Sequence, residues 1–110
     1  MFLHLAWIEP GGNTQIEAMA CGLPTLCCNN GGIVETIKSN NSGIVANTDE
    51  EYDFNEIDFY NPPEPNYINL EKNLIEIFKN LNEIKQNIKY ENLDIRNASK
   101  KYEQFIKKNI

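Results

Sequence analysis

Two glutamates with seven residues between them, Glu9 and Glu17, enclose the stretch of this chain best suited to chemistry. The run between them is Pro10-Gly11-Gly12-Asn13-Thr14-Gln15-Ile16. A glycine turn that feeds straight into a helix leaves the first backbone N–H groups without intrahelical partners, and the positive end of the helix dipole faces the same place. Such a turn cradles phosphate. An ionised carboxylate accepts two hydroxyl donors from a cis-diol, which a neutral side chain does less well. A phosphate cradle with a carboxylate at each end suits a ligand that carries phosphates and hydroxyls together. A nucleotide sugar is such a ligand. There is a plainer explanation beside this one. Gly11 and Gly12 make a tight turn in any case, and Glu17 in a first helical turn complements the dipole by roughly 0.3–1 kcal/mol with no ligand at all.

The elements that must hold this loop are legible on both sides of it. Residues 2–8, Phe-Leu-His-Leu-Ala-Trp-Ile, form a continuous apolar run rather than a clean alternation, which predicts a strand buried on both faces of a parallel sheet. His4 and Trp7 read as sheet residues. After the glycines, Asn13 or Thr14 can cap a helix running to about Cys21, with Ile16, Met19 and Ala20 on one side. Gly22 and then Pro24 give its stop pattern. Residues 25–28 predict a second short strand, and Asn29-Asn30-Gly31-Gly32 a second glycine turn. Residues 33–37 predict a brief helix, ended by the polar cluster Ser39-Asn40-Asn41-Ser42, and residues 43–46 a third strand. Strand, helix, strand, helix, strand means a parallel sheet with crossover helices. Gly31 and Gly32 would let a second helix N-terminus approach the site, and Glu35 would cap or pair locally.

Beyond this the character changes. Residues 47–68 are acidic, hold Tyr52, Phe54, Phe59 and Tyr60 together with Pro62, Pro63 and Pro65, and show neither a helical nor a strand period. They predict a long surface loop, an insertion in the domain. Leu70, Leu74, Ile77, Phe78, Leu81, Ile84 and Ile88 then fall at helical spacing, in one amphipathic helix or two joined near Asn82. A last helix from about Leu93 to Lys108 carries Ile95, Ala98, Tyr102, Phe105 and Ile106 on one face. The closing helices are expected to cover the sheet and to carry no chemistry.

Composition narrows the partners. The 110 residues make one domain at most, with a net charge of −6. Apart from Lys38, every Lys and Arg lies at or beyond Lys72, so a nucleic-acid backbone is excluded as partner for the first two thirds. The basic tail is interleaved with Glu83, Glu91, Asp94 and Glu103, as on a solvated helix face. No apolar run is long enough to span a bilayer, and residues 1–8 lack the features of a signal peptide, so a cytoplasmic chain is expected. Cys21, Cys27 and Cys28 give neither an even disulfide set nor metal-ligand spacing, and read as small buried thiols in a reducing compartment.

Glu9, then Glu17-Ala18-Met19-Ala20-Cys21-Gly22-Leu23-Pro24, then Gly31-Gly32-Ile33-Val34-Glu35, resemble the C-terminal domain of retaining, nucleotide-sugar-dependent glycosyltransferases of the two-domain GT-B architecture. The resemblance covers about residues 2–46 and is weaker in the closing helices. It implies a partial Rossmann-like domain over residues 1–110, with 47–68 as an insertion and the N-terminal acceptor-binding domain absent. It implies that Glu9 contacts the hydroxyls of the transferred sugar and is the catalytic position, and that Glu17 holds the ribose hydroxyls. The backbone around Gly11, Gly12, Asn13, Thr14 and Gln15 would hold the diphosphate, whose departure is helped by electrostatic preorganisation. No metal and no cofactor beyond the donor are implied, and no Asp-x-Asp triplet occurs.

The departures from the family also matter. Gly11 stands where the family usually has an aromatic, and Asn13 where it has an apolar residue. The basic pair that helps the diphosphate leave has no counterpart before Lys72. The chain is therefore expected to be about the last quarter of a hexosyl-transferring enzyme, with little activity alone. It would need the missing domain, or a partner chain supplying it. Any peripheral membrane contact would come through those missing parts. The alternatives are a non-catalytic split module that folds against a partner, and a fragment of a sugar-nucleotide epimerase of the same architecture. The run from Glu17 to Pro24 favours transferases over the latter.

Overall fold

The computed structural model describes residues 1–6, 9, 11–48, 58, 60–62 and 64–110. Three short strands, β1 (Phe2–His4), β2 (Thr25–Cys28) and β3 (Gly43–Ala46), form a parallel sheet in the order β1-β2-β3. Parallel neighbours cannot be joined by a hairpin. The crossovers are α1 (Asn13–Ala20), between β1 and β2, and α2 (Ile33–Asn40), between β2 and β3. The expected α/β, partly Rossmann-like pattern is what the chain adopts. The first strand is shorter than its apolar run and is not buried on both faces. At the sheet's edge β1 ends at His4 and leaves Leu3 exposed, Leu5 and Ala6 follow it exposed, and Trp7 and Ile8 lie outside the described residues.

β2 is the centre of the molecule, and all its residues are buried. Its side chains alternate between two packed faces, as the pleat of a strand requires. Leu26 and Cys28 meet Ala46, Leu70 and Ile77 on one face. Cys27 meets Met19, Ile33 and Ile37 on the other. Of the three cysteines only Cys27 and Cys28 are buried; Cys21, at the end of α1, is exposed.

The ends of α1 differ in how closely they follow expectation. At its C-terminus Gly22 adopts a left-handed φ of +75°, the Gly22 N–H donates to Met19 O at 2.9 Å and the Leu23 N–H to Ala18 O at 3.0 Å. This paired closure is the reason for a glycine there. At the N-terminus the cap is neither Asn13 nor Thr14. Gly12 holds that position in extended backbone (φ −75°, ψ 121°), and no side chain caps the helix. The Gln15 side chain folds back over Gly12, and the Thr14 hydroxyl donates to Gln15 Oε1 at 3.0 Å instead of capping. The buried face is Gln15, Ala18 and Met19, while Ile16 is half-buried and Ala20 exposed. α2 runs past Ile37 because Asn40 Nδ2 donates back to Thr36 O at 2.8 Å. Only Asn41, with a left-handed φ of 52°, stops it.

α3 (Tyr67–Lys79) starts inside the expected loop, capped by Asn66 Oδ1, which accepts from Asn69 N at 2.8 Å. Residues 49–57, 59 and 63 of that loop lie outside the described residues. α4 (Leu81–Asn87) follows a break at Asn80, two residues before the expected join. Leu70 and Ile77 are buried under this pair, whereas Phe78 points outward. A single 3-10 turn, Tyr90–Asn92, leads to α5 (Ile95–Asn109), which is capped by Asp94 and begins two residues after Leu93. The expectation that α5 covers the sheet fails. Both faces are already occupied, by α1 with α2 and by α3 with α4, so α5 packs beside the 3-10 turn and none of its residues is buried. Leu93, just before it, reaches the core instead. Among the described residues no helix is long and apolar enough to cross a membrane.

Candidate functional site

α1 and α2 both begin just beyond the carboxyl ends of the strands that precede them, the edge where open parallel α/β sheets bind ligands. Glu9 lies between these two helix starts and is held at its main chain by the second. The Gly32 N–H donates to Glu9 O at 3.1 Å. Gly31 has φ +88°, and a Cβ there would stand 2.3 Å from the same oxygen. The second glycine turn thus presses backbone to backbone against Glu9, which only a residue without a side chain permits.

The Glu9 carboxylate is 29% exposed and is met on both oxygens. Gly11 N–H donates to Oε1 at 3.4 Å, and His4 Nε2 lies 3.7 Å from Oε2. The histidine is the neighbour of Glu9 that sequence reasoning missed. Its signal was available: it is the sole histidine and it ends the strand that runs toward Glu9.

At the start of α1, Asn13, Thr14 and Gln15 are the first three helical residues, whose N–H groups have no intrahelical acceptor by helix geometry. Gln15 is fully buried, its Oε1 taken by Thr14 and its Nε2 without a partner. A Cβ on Gly12 would fall 1.6 Å from Gln15 Oε1, so the bare glycine makes room for the carboxamide. Glu9, Gly11, Gly12, Thr14 and Gln15 therefore form one connected group at the N-terminus of α1. Asn13 is exposed at its rim. Glu17 is exposed one turn further on, and its carboxylate has no partner among the described residues. Pro10 lies outside the described residues. Glu35 sits in the first turn of α2, exposed and without a capping hydrogen bond.

Two buried thiols lie on the strand behind the site. Burial, and secondarily Cys28, pushes the Cys27 thiol up to about 12 against an opposing pull from Lys38, and burial raises Cys28 as well. Neither is a thiolate at neutral pH, so neither is a nucleophile. Among the described residues no group of three or more His, Cys, Asp or Glu could hold a metal ion.

A parallel sheet with crossover helices, an uncapped helix start and a glycine turn pressed against Glu9 at its carboxyl edge is part of a Rossmann-like domain. The chain belongs to the glycosyl transferases group 1 family, whose family model matches residues 1–57. It is similar to sucrose-phosphate synthase 4 of Arabidopsis thaliana, with 39% identity over 51 residues, 46% of this chain and 5% of that protein. Similarity to the sucrose synthase of Nitrosomonas europaea is 41% identity over 71 residues, 58% of this chain and 9% of the relative. A probable sucrose-phosphate synthase of Thermosipho melanesiensis is 46% identical over 52 residues, 47% of this chain and 12% of its own length. The chain thus spans only a small part of the relatives it matches. No solved structure matches it significantly.

Proposed function

We propose that residues 1–110 are the donor-binding part of the C-terminal domain of a retaining GT-B glycosyltransferase, which moves a hexosyl group from a nucleoside diphosphate sugar to an acceptor. Glu9 takes hydroxyls of the transferred sugar, and the first-turn N–H groups of α1 take the diphosphate. Glu17 leans back toward that end, as helical side chains do, and takes the ribose. In the transfer the bond from the anomeric carbon to phosphate oxygen breaks, and its electrons leave on the diphosphate. Fixed N–H dipoles stabilise that charge without reorganising. The acceptor hydroxyl attacks from the face the diphosphate leaves, its oxygen bonding to the anomeric carbon as its proton passes to the departing phosphate oxygen. Its binding domain and the cations that neutralise the departing group belong to other parts of the enzyme, so the chain alone does not turn over. The names of the relatives, synthases of sucrose and sucrose phosphate, fit hexosyl transfer.

The observation that carries this reading is Gln15. A fully buried carboxamide with an unpartnered Nε2 costs on the order of 1–3 kcal/mol, and here it lies at an uncapped helix start beside Glu9. The test is a titration of the chain with a nucleoside diphosphate and with its hexosyl ester, followed by amide NMR. The amides of Gly12 to Gln15 are expected to move with both ligands, Glu17→Ala to weaken both, and Glu9→Ala to weaken only the hexosyl ester. No movement at millimolar ligand overturns the reading. That result would favour a second one, a non-catalytic module folded against a partner. Its support is the apolar face of α5, where Tyr102 is 72% and Phe105 68% exposed.

A further inference from the structure

We propose that His4 is a positioning residue for Glu9, holding the carboxylate from the side opposite Gly11. The inference rests on the donor-site reading for what Glu9 does, and on geometry for how His4 serves it. Phe2 and His4 lie two apart on β1 and so share a face, and their rings stack at a centroid distance of 6.3 Å and an interplanar angle of 9°. The stacking fixes the plane of the imidazole. In that plane Nε2 is buried, has no hydrogen-bond partner, and faces Glu9 Oε2 at 3.7 Å. Gly11 N–H occupies the other oxygen.

A carboxylate on a rotatable side chain points in one direction only when both its oxygens are held. Gly11 alone leaves Glu9 free to swing about that single contact. With Nε2–H on Oε2 the carboxylate has a fixed plane and keeps one acceptor site free on each oxygen, since each carries two lone pairs. The distance of 3.7 Å exceeds that of a hydrogen bond, about 2.7–3.2 Å, and catalytic contacts commonly tighten only when the ligand seats. Among the described residues no other charged side chain pairs with the imidazole. In the sheet register His4 stands opposite Cys27, whose thiol is protonated at neutral pH, and the ionisable groups of α1 and α2, Glu17, Glu35 and Lys38, are all exposed.

The experiment has two arms on the full chain. Without ligand, the His4 ring nitrogens are observed by NMR in the wild type and in Glu9→Gln. The Nε2 signal is expected to move on this substitution, and an unmoved signal overturns the pairing. With ligand, affinities for a nucleoside diphosphate and for its hexosyl ester are compared. His4→Ala is expected to weaken the hexosyl ester about three- to tenfold, the worth of one hydrogen bond, and to leave the bare diphosphate unchanged. His4→Gln, which keeps an N–H donor, should recover most of the loss. In a Glu9→Ala background His4→Ala should cost nothing more. A loss shared equally by both ligands, or one that persists without Glu9, means that His4 only supports the strand and overturns the proposal. Should the wild type bind neither ligand, the donor-site reading fails, and the ring signals alone decide whether His4 positions Glu9.

Discussion

Replacing Gly31 with alanine tests the contact on which the site is built. Three costs follow from the geometry. At φ +88° a Cβ-bearing residue is strained by about 1–2 kcal/mol. The new Cβ would stand 2.3 Å from Glu9 O and 2.9 Å from Glu9 C, so the turn must retreat by about 1 Å, at an overpacking cost of roughly 1–3 kcal/mol. Retreat also gives up the bond from Gly32 N–H to Glu9 O, about 1 kcal/mol. The last two overlap, because a turn that backs away relieves the clash by losing the bond. The expected total is about 2–4 kcal/mol, read as a lower urea midpoint at unchanged slope by far-UV circular dichroism. Two companions make it specific. Gly11→Ala meets nothing within 4 Å and should fall within about 0.5 kcal/mol of the wild type. Gly31→Asn tolerates the left-handed backbone but keeps the Cβ, so it should recover no more than the strain. If Gly31→Ala is neutral, or Gly31→Asn restores full stability, the pressed contact with Glu9 is not what selects glycine there.

Three further outcomes follow. Ile77→Ala, which removes a fully buried side chain from the face that joins α3 to β2 and β3, should cost about 2–5 kcal/mol in the same assay. The raised Cys27 pKa makes stability fall as pH rises from about 9.0 toward about 12: over that window the unfolded thiol releases its proton while the folded one retains it, a trend Cys27→Ala should flatten in urea titrations. At the other extreme, the Arg96 side chain and then its N–H hold the Asp94 carboxyl down at about 2, against an ordinary 3.8. Its capping of α5 should therefore persist above pH 3.8 and be lost as pH falls through about 2, measured as helix content against Asp94→Asn.

The parts that were legible in the sequence are those set by local rules. Gly22 followed by Pro24 marked the end of α1 because a left-handed closure is decided within six residues. The strands at 25–28 and 43–46 were legible because their apolar runs are bounded by glycine and asparagine turns. What failed depended on contacts across the fold. The cap of α1 looked like Asn13 or Thr14 by type, but the Gln15 side chain filling the space over Gly12 moved the cap back one position. Gly31 was legible as a turn former, yet nothing in its neighbours says that the turn closes on Glu9. The apolar stripe of α5 was legible as a stripe. Its burial was not, since α1 with α2 and α3 with α4 already occupy both faces of a three-stranded sheet.

Charge gives the donor-site reading a sign that can be checked. A diphosphate approaching the start of α1 meets Glu9, Glu17 and Glu35 nearby in sequence and fold, and Lys38 is the only lysine or arginine before Lys72. The chain as a whole carries −6. The attraction available is that of backbone N–H dipoles, equivalent to about half a charge at the helix end. Dipole contacts act at hydrogen-bond range and are little screened, whereas repulsion from the surrounding carboxylates acts over a Debye length, about 10 Å at 0.1 M salt. Added salt should therefore remove more repulsion than attraction. Affinity for a nucleoside diphosphate should rise between 0.02 M and 0.3 M salt, by about two- to fivefold, opposite to the trend of a phosphate site built on lysine and arginine. The measurement is a titration at three ionic strengths with a non-binding salt. An affinity that falls with salt would mean that cations contact the diphosphate after all. The basic residues beyond Lys72 would be the ones to examine, and the cradle of free N–H groups would no longer account for binding.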